Sequence, residues 1–282
     1  MQKRSETISP TAHYTGYTWY QHGLSHPALV TPQGRVLHTM VGPLNALARV
    51  TGAPTLSGLL LARHHSIDHL LQGAIDDGRI TQVIEVAAGL SPRGWRFKQR
   101  YGDRLRYVEA DLPDMARLKR DRLARSGLQS PGHEVVALDA MTDTGPLSLS
   151  ALADTLDVHQ GTAIITEGLV NYFDQAALLG MWARFAQVLA RFPHSLYLSD
   201  IHLSSTGDRM AVKGFLAVLS AFVRGRVHLH FESAGEACAA LRQAGFEHAT
   251  LHEPRMLSSA AGFTPCAGAD LVRIIEARGQ HT

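Results

Sequence analysis

The stretch Val83-Ile84-Glu85-Val86-Ala87-Ala88-Gly89-Leu90-Ser91-Pro92-Arg93-Gly94 sets the frame for the whole chain. An apolar run ends in an acid and a small-residue turn, and the turn leads into a helix. Small residues let backbone amides approach a ligand closely, and a helix N-terminus favours negative charge. Dinucleotide enzymes hold pyrophosphate with the same device, but the spacing here departs from G-x-G-x-x-G. Glu85 would meet a diphosphate as a like charge; it suits a ligand bearing an ammonium or another cation. A plain strand–helix connection without a ligand accounts equally well for these residues taken alone.

Outward from this stretch, short apolar runs alternate with amphipathic segments. The runs are Gln82–Val86, Leu105–Glu109, Glu134–Leu138, Ala163–Thr166 and Ser195–Ser199, with helices expected near 92–101, 113–126, 147–156 and 175–191. That alternation predicts a parallel sheet covered by helices on both faces, with ligands at the carboxyl ends of its strands. Beyond Asp200, Met210–Arg224 and Ser233–Ala244 read as helices, the second opening with Ser233 and Glu236 as a capping box. Val227–Phe231 reads as a short strand with His228 and His230 on one face. Phe246–Leu251 and Leu271–Ile275 read as two late strands. Before Gly78 the pattern is helical: apolar residues recur through 57–72 with Ser57 as N-cap, and Pro10, Pro27, Pro32, Pro43 and Pro54 are expected to break the chain. The expected organisation is one domain over 1–282: a helical cap (1–78), a ligand-binding core (79–200), and a lid-like helical segment with the terminal strands (201–282).

Three further strand ends carry acids. Asp111, in Tyr107-Val108-Glu109-Ala110-Asp111-Leu112-Pro113, lies 22 residues after Gly89, near the separation at which an acid accepts from a ribose diol; alternatively it caps the next helix. Asp139 and Ala140 end the third run, where a carboxylate can accept from an exocyclic adenine amine or simply start a turn. Glu167 and Gly168 end the fourth, in Ile164-Ile165-Thr166-Glu167-Gly168-Leu169-Val170-Asn171-Tyr172-Phe173.

In this order the four segments resemble the leucine carboxyl methyltransferase family of class I S-adenosylmethionine-dependent O-methyltransferases, which includes bacterial polyketide-type members. Ala87-Ala88-Gly89 and Ser91-Pro92-Arg93 stand where the family has Gly-Ala-Gly and Asp-Thr-Arg. Glu109-Ala110-Asp111-Leu112-Pro113 and Glu167-Gly168-Leu169-Val170-Asn171-Tyr172 match its later motifs. The resemblance implies a Rossmann-like, mostly parallel α/β sheet with an antiparallel late strand. It implies S-adenosylmethionine held by Arg63, Glu85, Ala87, Gly89, Asp111, Leu112, Asp139, Ala140, Glu167 and Gly168. Arg63, from the cap, is expected on the cofactor's carboxylate, which a planar guanidinium suits. Tyr17, Tyr172 and His202 are candidates for the acceptor pocket. Ala87 in place of glycine is tolerated if the backbone there has φ below zero, and Ser91 removes the family's acid. The expected reaction is methyl transfer to an oxygen of a small molecule or peptide, a carboxylate above all, because a carboxylate is already ionised near pH 7 and needs no base. A nucleotide-linked Rossmann oxidoreductase using NAD and a noncatalytic S-adenosylmethionine binder are the alternatives.

Other features narrow the field. Lys+Arg (27) nearly balances Asp+Glu (25), which gives no electrostatic case for nucleic acid or an anionic membrane. Two cysteines, Cys238 and Cys266, make no disulfide framework. No apolar run is long enough to span a bilayer and no signal-like stretch opens the sequence, so a cytoplasmic protein is expected. His64, His65, Asp68 and His69 are expected on a solvated helix face, with no metal site. Trp19, Tyr14 and Tyr20 are expected to pack within the cap.

Overall fold

A computed structural model describes residues 10–207, 228–264 and 268–279. Seven strands form one sheet: β1 (Gln82–Val86), β2 (Arg106–Asp111), β3 (His133–Ala137), β4 (Thr162–Thr166), β5 (Ser195–Ile201), β6 (His248–His252) and β7 (Arg273–Arg278). Their order is β3-β2-β1-β4-β5-β7-β6. The first five run parallel, and β7 lies antiparallel between β5 and β6. The order reverses beside β1, so the crevice for a ligand opens where β1 and β4 end. The parallel part is what the residue pattern predicts, and the antiparallel late strand is what the family resemblance implies.

The helices among the described residues are α1 (Pro10–Gln21), α2 (Pro32–Thr51), α3 (Leu56–Asp76), α4 (Arg93–Tyr101), α5 (Pro113–Arg125), α6 (Leu149–Ala153), α7 (Gln175–Leu189), α8 (Ala234–Gln243) and α9 (Pro254–Ala261). Side-chain alternation assigns their layers. Val83 and Tyr107 face a core shared with Leu59, Ile67 and Leu71 of α3 and Phe97 of α4. Ile84, Val108 and Ile164 face the opposite core with Leu149 of α6, Trp182 and Phe185 of α7 and Leu241 of α8. Successive strand residues point to opposite faces, so Glu85 and Glu109 share the α3/α4 side. Lys119 of α5 reaches Glu109 at 2.9 Å, which puts α5 on that side as well.

Several local expectations change. Pro10 and Pro32 start helices instead of breaking them, because a first-turn residue needs no N–H. Pro43 lies within α2. The N-cap of α3 is Thr55, whose hydroxyl accepts from the Gly58 amide, not Ser57. Residues 228–231 lie outside any strand; their backbone is held by Asn171, whose carbonyl accepts from the His228 amide and whose side-chain amide donates to the His228 carbonyl. Ser233 caps α8 as expected, while the Glu236 carboxylate accepts from the Glu232 amide rather than from its own cap residue. The Met210–Arg224 helix and Cys266 lie outside the described residues. Among those described, no helix is long and apolar enough to cross a membrane.

Candidate active site

Parallel register assembles the site. Val86 pairs with Ala110 on one side and with Thr166 on the other, and Thr166 pairs with Ser199. The next residues, Ala87, Asp111, Glu167 and Asp200, therefore stand level along the carboxyl edge of the sheet. Ala110 also pairs with Val136, so Asp139 and Ala140 lie a little further out on the same edge. Segments separated by more than 100 residues in sequence thus meet along one crevice.

The small-residue turn is held open from both sides. Ala87 has φ of 55°, the left-handed region, so the negative φ that would accommodate its methyl group without strain is not adopted. Gly89 follows at φ of 50°, and a side chain on it would meet the Ala12 Cβ of α1 at 3.2 Å. The Gly89 amide donates to Asp111 Oδ2 and the Leu112 amide to Oδ1, both at 2.7 Å. Burial outweighs these donors and raises the Asp111 pKa. Leu112, alongside, is 46% exposed, unusual for a large apolar residue at a strand end. Asp139 is half-buried and accepts from the Met141 amide; the Ala140 carbonyl accepts from Arg184. Ser91, in the family's acid position, is buried, and its hydroxyl accepts from the Arg93 amide.

Beneath the crevice lies a buried charge network. Arg93, fully buried, donates to Asp68 (2.6 Å), Glu85 (2.5 Å) and Glu167 (2.5 Å). Arg63 donates to Glu167 (3.0 Å) and Asp200 (3.3 Å). His64 Nδ1 lies 2.9 Å from Glu167, and Arg96 donates to Asp68. Burial alone would raise Glu167, but His64, Arg93 and Arg63 hold its carboxyl well below the ordinary range. Glu85 differs from expectation: it faces the helices, where Arg93 takes one oxygen and the Tyr107 hydroxyl the other at 2.7 Å. Strand alternation is the reason, since Val83 and Glu85 must share a face. His64 and Asp68 also differ, being buried rather than solvated, because that side of α3 meets α4. His65 and His69 are half-buried, and the His65 ring stacks on Phe263.

Next to this network a narrow cleft of about 30 Å³ opens between α1, α3 and the ends of β4 and β5. Tyr14, Leu59, Leu60 and Tyr172 supply apolar walls; Arg63, Asp200 and His202 supply the polar groups. Gly168, at φ of 68°, passes so close to Arg63 that an added Cβ would lie 2.8 Å from the guanidinium. Its amide donates to Asp200 at 2.6 Å. Tyr172 and His202, the candidates for the acceptor pocket, both line this cleft. Tyr17 does not; its ring lies against His38 and Tyr20, and its hydroxyl accepts from Gln21. Thr11, Tyr14 and Thr15 share the face of α1 that meets the cleft, and Tyr17 falls on another. Asp200 and Arg93 were not among the residues expected in the site. Asp200 carries the same signal as the others, an acid at a strand end; Arg93 follows the turn but gives no sign in sequence of three carboxylate partners.

A profile of the leucine carboxyl methyltransferase family matches residues 28–185. No curated protein matches the chain by sequence. Among solved structures, a candidate methyltransferase from Thermobifida fusca shares the fold with a TM-score of 0.68 at 13% identity, over 98% of this chain and 97% of that one. A DUF574 family protein from Streptomyces avermitilis does so at 0.65 and 18% identity, over 96% and 97%. Human N-acetylserotonin methyltransferase, solved with S-adenosylmethionine, matches at 0.52 and 12% identity, over 97% of this chain and 72% of that one. With more than half of its length matched by the family profile, the chain belongs to the leucine carboxyl methyltransferase family and is an S-adenosylmethionine-dependent methyltransferase.

Proposed function

We propose that the chain transfers a methyl group to an oxygen of a small molecule or peptide bound in the cleft between α1, α3 and the ends of β4 and β5. One observation carries this reading: the cleft adjoins Glu167-Gly168, and its apolar walls of Tyr14, Leu56, Leu59 and Leu60 surround the polar groups of Arg63, Asp200 and His202. Apolar walls with a few convergent polar groups suit an organic acceptor and keep water out.

The residues present fit the cofactor. Both Asp111 oxygens accept backbone amides, yet each keeps lone-pair capacity for a ribose hydroxyl. In this reading Asp111 holds the ribose, and the Ala87–Gly89 turn passes beside the cofactor. Exposed Leu112 with Asp139 and Ala140 borders the adenine, and Gly168 with Arg63 borders the methionine moiety. Glu167 holds Arg63 in place rather than touching the acceptor as a base. Glu85, turned toward the helices and engaged by Arg93 and Tyr107, supports the turn from beneath. Bound there, S-adenosylmethionine supplies a methyl carbon already activated by positive sulfur. The chain's own work is then alignment and exclusion of water.

The family's description points to a carboxylate acceptor. Within the described cleft, however, the Arg63 guanidinium is engaged by two carboxylates of the chain itself, so an oxygen acceptor of either kind fits. The test has two parts. Calorimetry should show S-adenosylmethionine binding weakened about tenfold or more by Asp111→Asn, as expected for losing a hydrogen bond to a charged group. Incubation with methyl-labelled cofactor should then give a product whose behaviour in mild alkali sorts the acceptor: an ester releases labelled methanol, an ether does not. Unchanged affinity in Asp111→Asn would remove Asp111 from the cofactor site, and a labelled amine would remove the oxygen reading.

A further inference from the structure

His202 follows β5 and is 6% exposed. Its Nδ1 lies 2.6 Å from the Leu271 carbonyl oxygen. A carbonyl only accepts, so the ring proton sits on Nδ1 and the Nε2 lone pair is left unprotonated. Nε2 has no hydrogen-bond partner among the described residues, and His202 lines the cleft. The backbone is fixed too, since the His202 amide donates to Asn171 Oδ1 at 3.0 Å.

The carboxylates at the cleft are committed. Asp200 accepts from Arg63 and from the Gly168 amide. Glu167 accepts from Arg63 and Arg93. Burial pushes the Tyr172 phenol up, which keeps it protonated. The groups that face His202 are Asp200 on β5, Arg63 on α3 and Tyr172 beyond β4. Burial, aided by Arg63, outweighs Asp200 and the Leu271 carbonyl and lowers the imidazole pKa, so the ring is neutral at pH 7.

We propose that His202 Nε2 is the proton acceptor of the methyl transfer, and that the acceptor is a hydroxyl-bearing small molecule of phenol or enol type. This rests on the oxygen methylation proposed above and narrows its substrate class. A carboxylate has no proton to lose near pH 7, whereas a phenol, ionising near 10, must lose one as its oxygen attacks. The hydroxyl proton passes to Nε2 while an oxygen lone pair forms the new bond to the methyl carbon. The carbon–sulfur bond breaks with its electron pair on sulfur. The products are a methyl ether, neutral S-adenosylhomocysteine and an imidazolium that returns its proton to water.

Two measurements on the full chain test this. The first needs no acceptor. Nitrogen NMR of histidine-labelled protein, assigned by the signal lost in His202→Asn, should show an unprotonated Nε2 at pH 7. The second uses labelled cofactor with shape-matched probes, 1-naphthol and 4-hydroxybiphenyl against 1-naphthoate and biphenyl-4-carboxylate. The hydroxyarenes should give alkali-stable products. His202→Asn keeps a donor toward the Leu271 carbonyl but removes the base. It should lower kcat on the hydroxyarenes by about 100-fold or more, erase the acid limb of the pH profile, and leave S-adenosylmethionine affinity unchanged. A protonated Nε2, methylation of the carboxylates alone, no methylation of the hydroxyarenes, or full activity in His202→Asn would overturn the proposal. Loss of S-adenosylmethionine binding in the unmodified chain, or a labelled amine, would instead overturn the oxygen reading beneath it.

Discussion

Ala87 is the residue at which this chain departs most plainly from its family's glycine turn. It occupies the left-handed region at φ of 55°, where a Cβ crowds the following carbonyl at a cost of roughly 1–2 kcal/mol. The turn keeps its shape because neighbours over-determine it: the Ala88 amide donates to the Ala110 carbonyl, and the Gly89 amide to Asp111. Ala87→Gly should relieve the strain and, after glycine's added unfolded-state entropy, raise stability by about 0.5–1 kcal/mol. A higher denaturant midpoint with an unchanged slope would show it. A lower midpoint would mean that the methyl group packs better than the backbone is strained.

At the scale of elements, α3 and α4 are joined to the sheet through Arg93 as well as through apolar packing. Its three carboxylates come from α3 (Asp68), β1 (Glu85) and the end of β4 (Glu167). Removing a buried partner leaves the opposing charges uncompensated, which is costlier than a lost contact. Arg93→Ala should destabilise the protein by about 3–5 kcal/mol. The linkage has a definite sign. The ion pairs hold Asp68 and Glu167 below their ordinary carboxylate values, so their stabilisation is fully present above the unfolded-state values. It is lost as pH falls through the lower, folded-state values. Thermal unfolding followed from pH 7 down to pH 3 should therefore show stability declining below about pH 4.5, with a shallower decline in Arg93→Ala. Equal acid sensitivity in both proteins would show that the network adds nothing beyond its geometry.

At the scale of the whole molecule, α1 lies over the crevice: a Cβ added at Gly89 would come within 3.2 Å of Ala12, and one added at Gly16 within 2.9 Å of Leu90. Binding at a site built from α1, α3 and four strand ends stabilises the folded state as a unit. At a hundredfold excess over Kd, S-adenosylmethionine should add about 2.7 kcal/mol. A shift of about 2–4 °C per kcal/mol is typical of chains of 150–250 residues, and this longer chain belongs at the lower end. NAD, the cofactor of the rival oxidoreductase reading, should leave the melting temperature unchanged. A shift with NAD and none with S-adenosylmethionine would be incompatible with the site described.

The parallel sheet, its strand positions and the acids at its edge were legible in the sequence, because alternation and strand-end chemistry are local. Asp111, Glu167 and Gly168 could be named from neighbouring residues alone, and so could the capped start of α8. The partners of those acids could not. Glu85 read as a ligand-facing carboxylate and His64 and Asp68 as solvated, because one helix or strand does not show what packs on it. Only the juxtaposition of α3, α4 and β4 turned them inward onto Arg93. Tyr17 and Tyr14 are indistinguishable by composition, and the docking angle of α1 put Tyr14 in the cleft. The sign of φ at Ala87 and the proton position on His202 depend on contacts with Ala110, Asp111 and Leu271, residues far along the chain. The sequence by itself determined which edge of which sheet carries the chemistry; tertiary packing decided which side chains reach it, since burial and charge pairing exist only between elements.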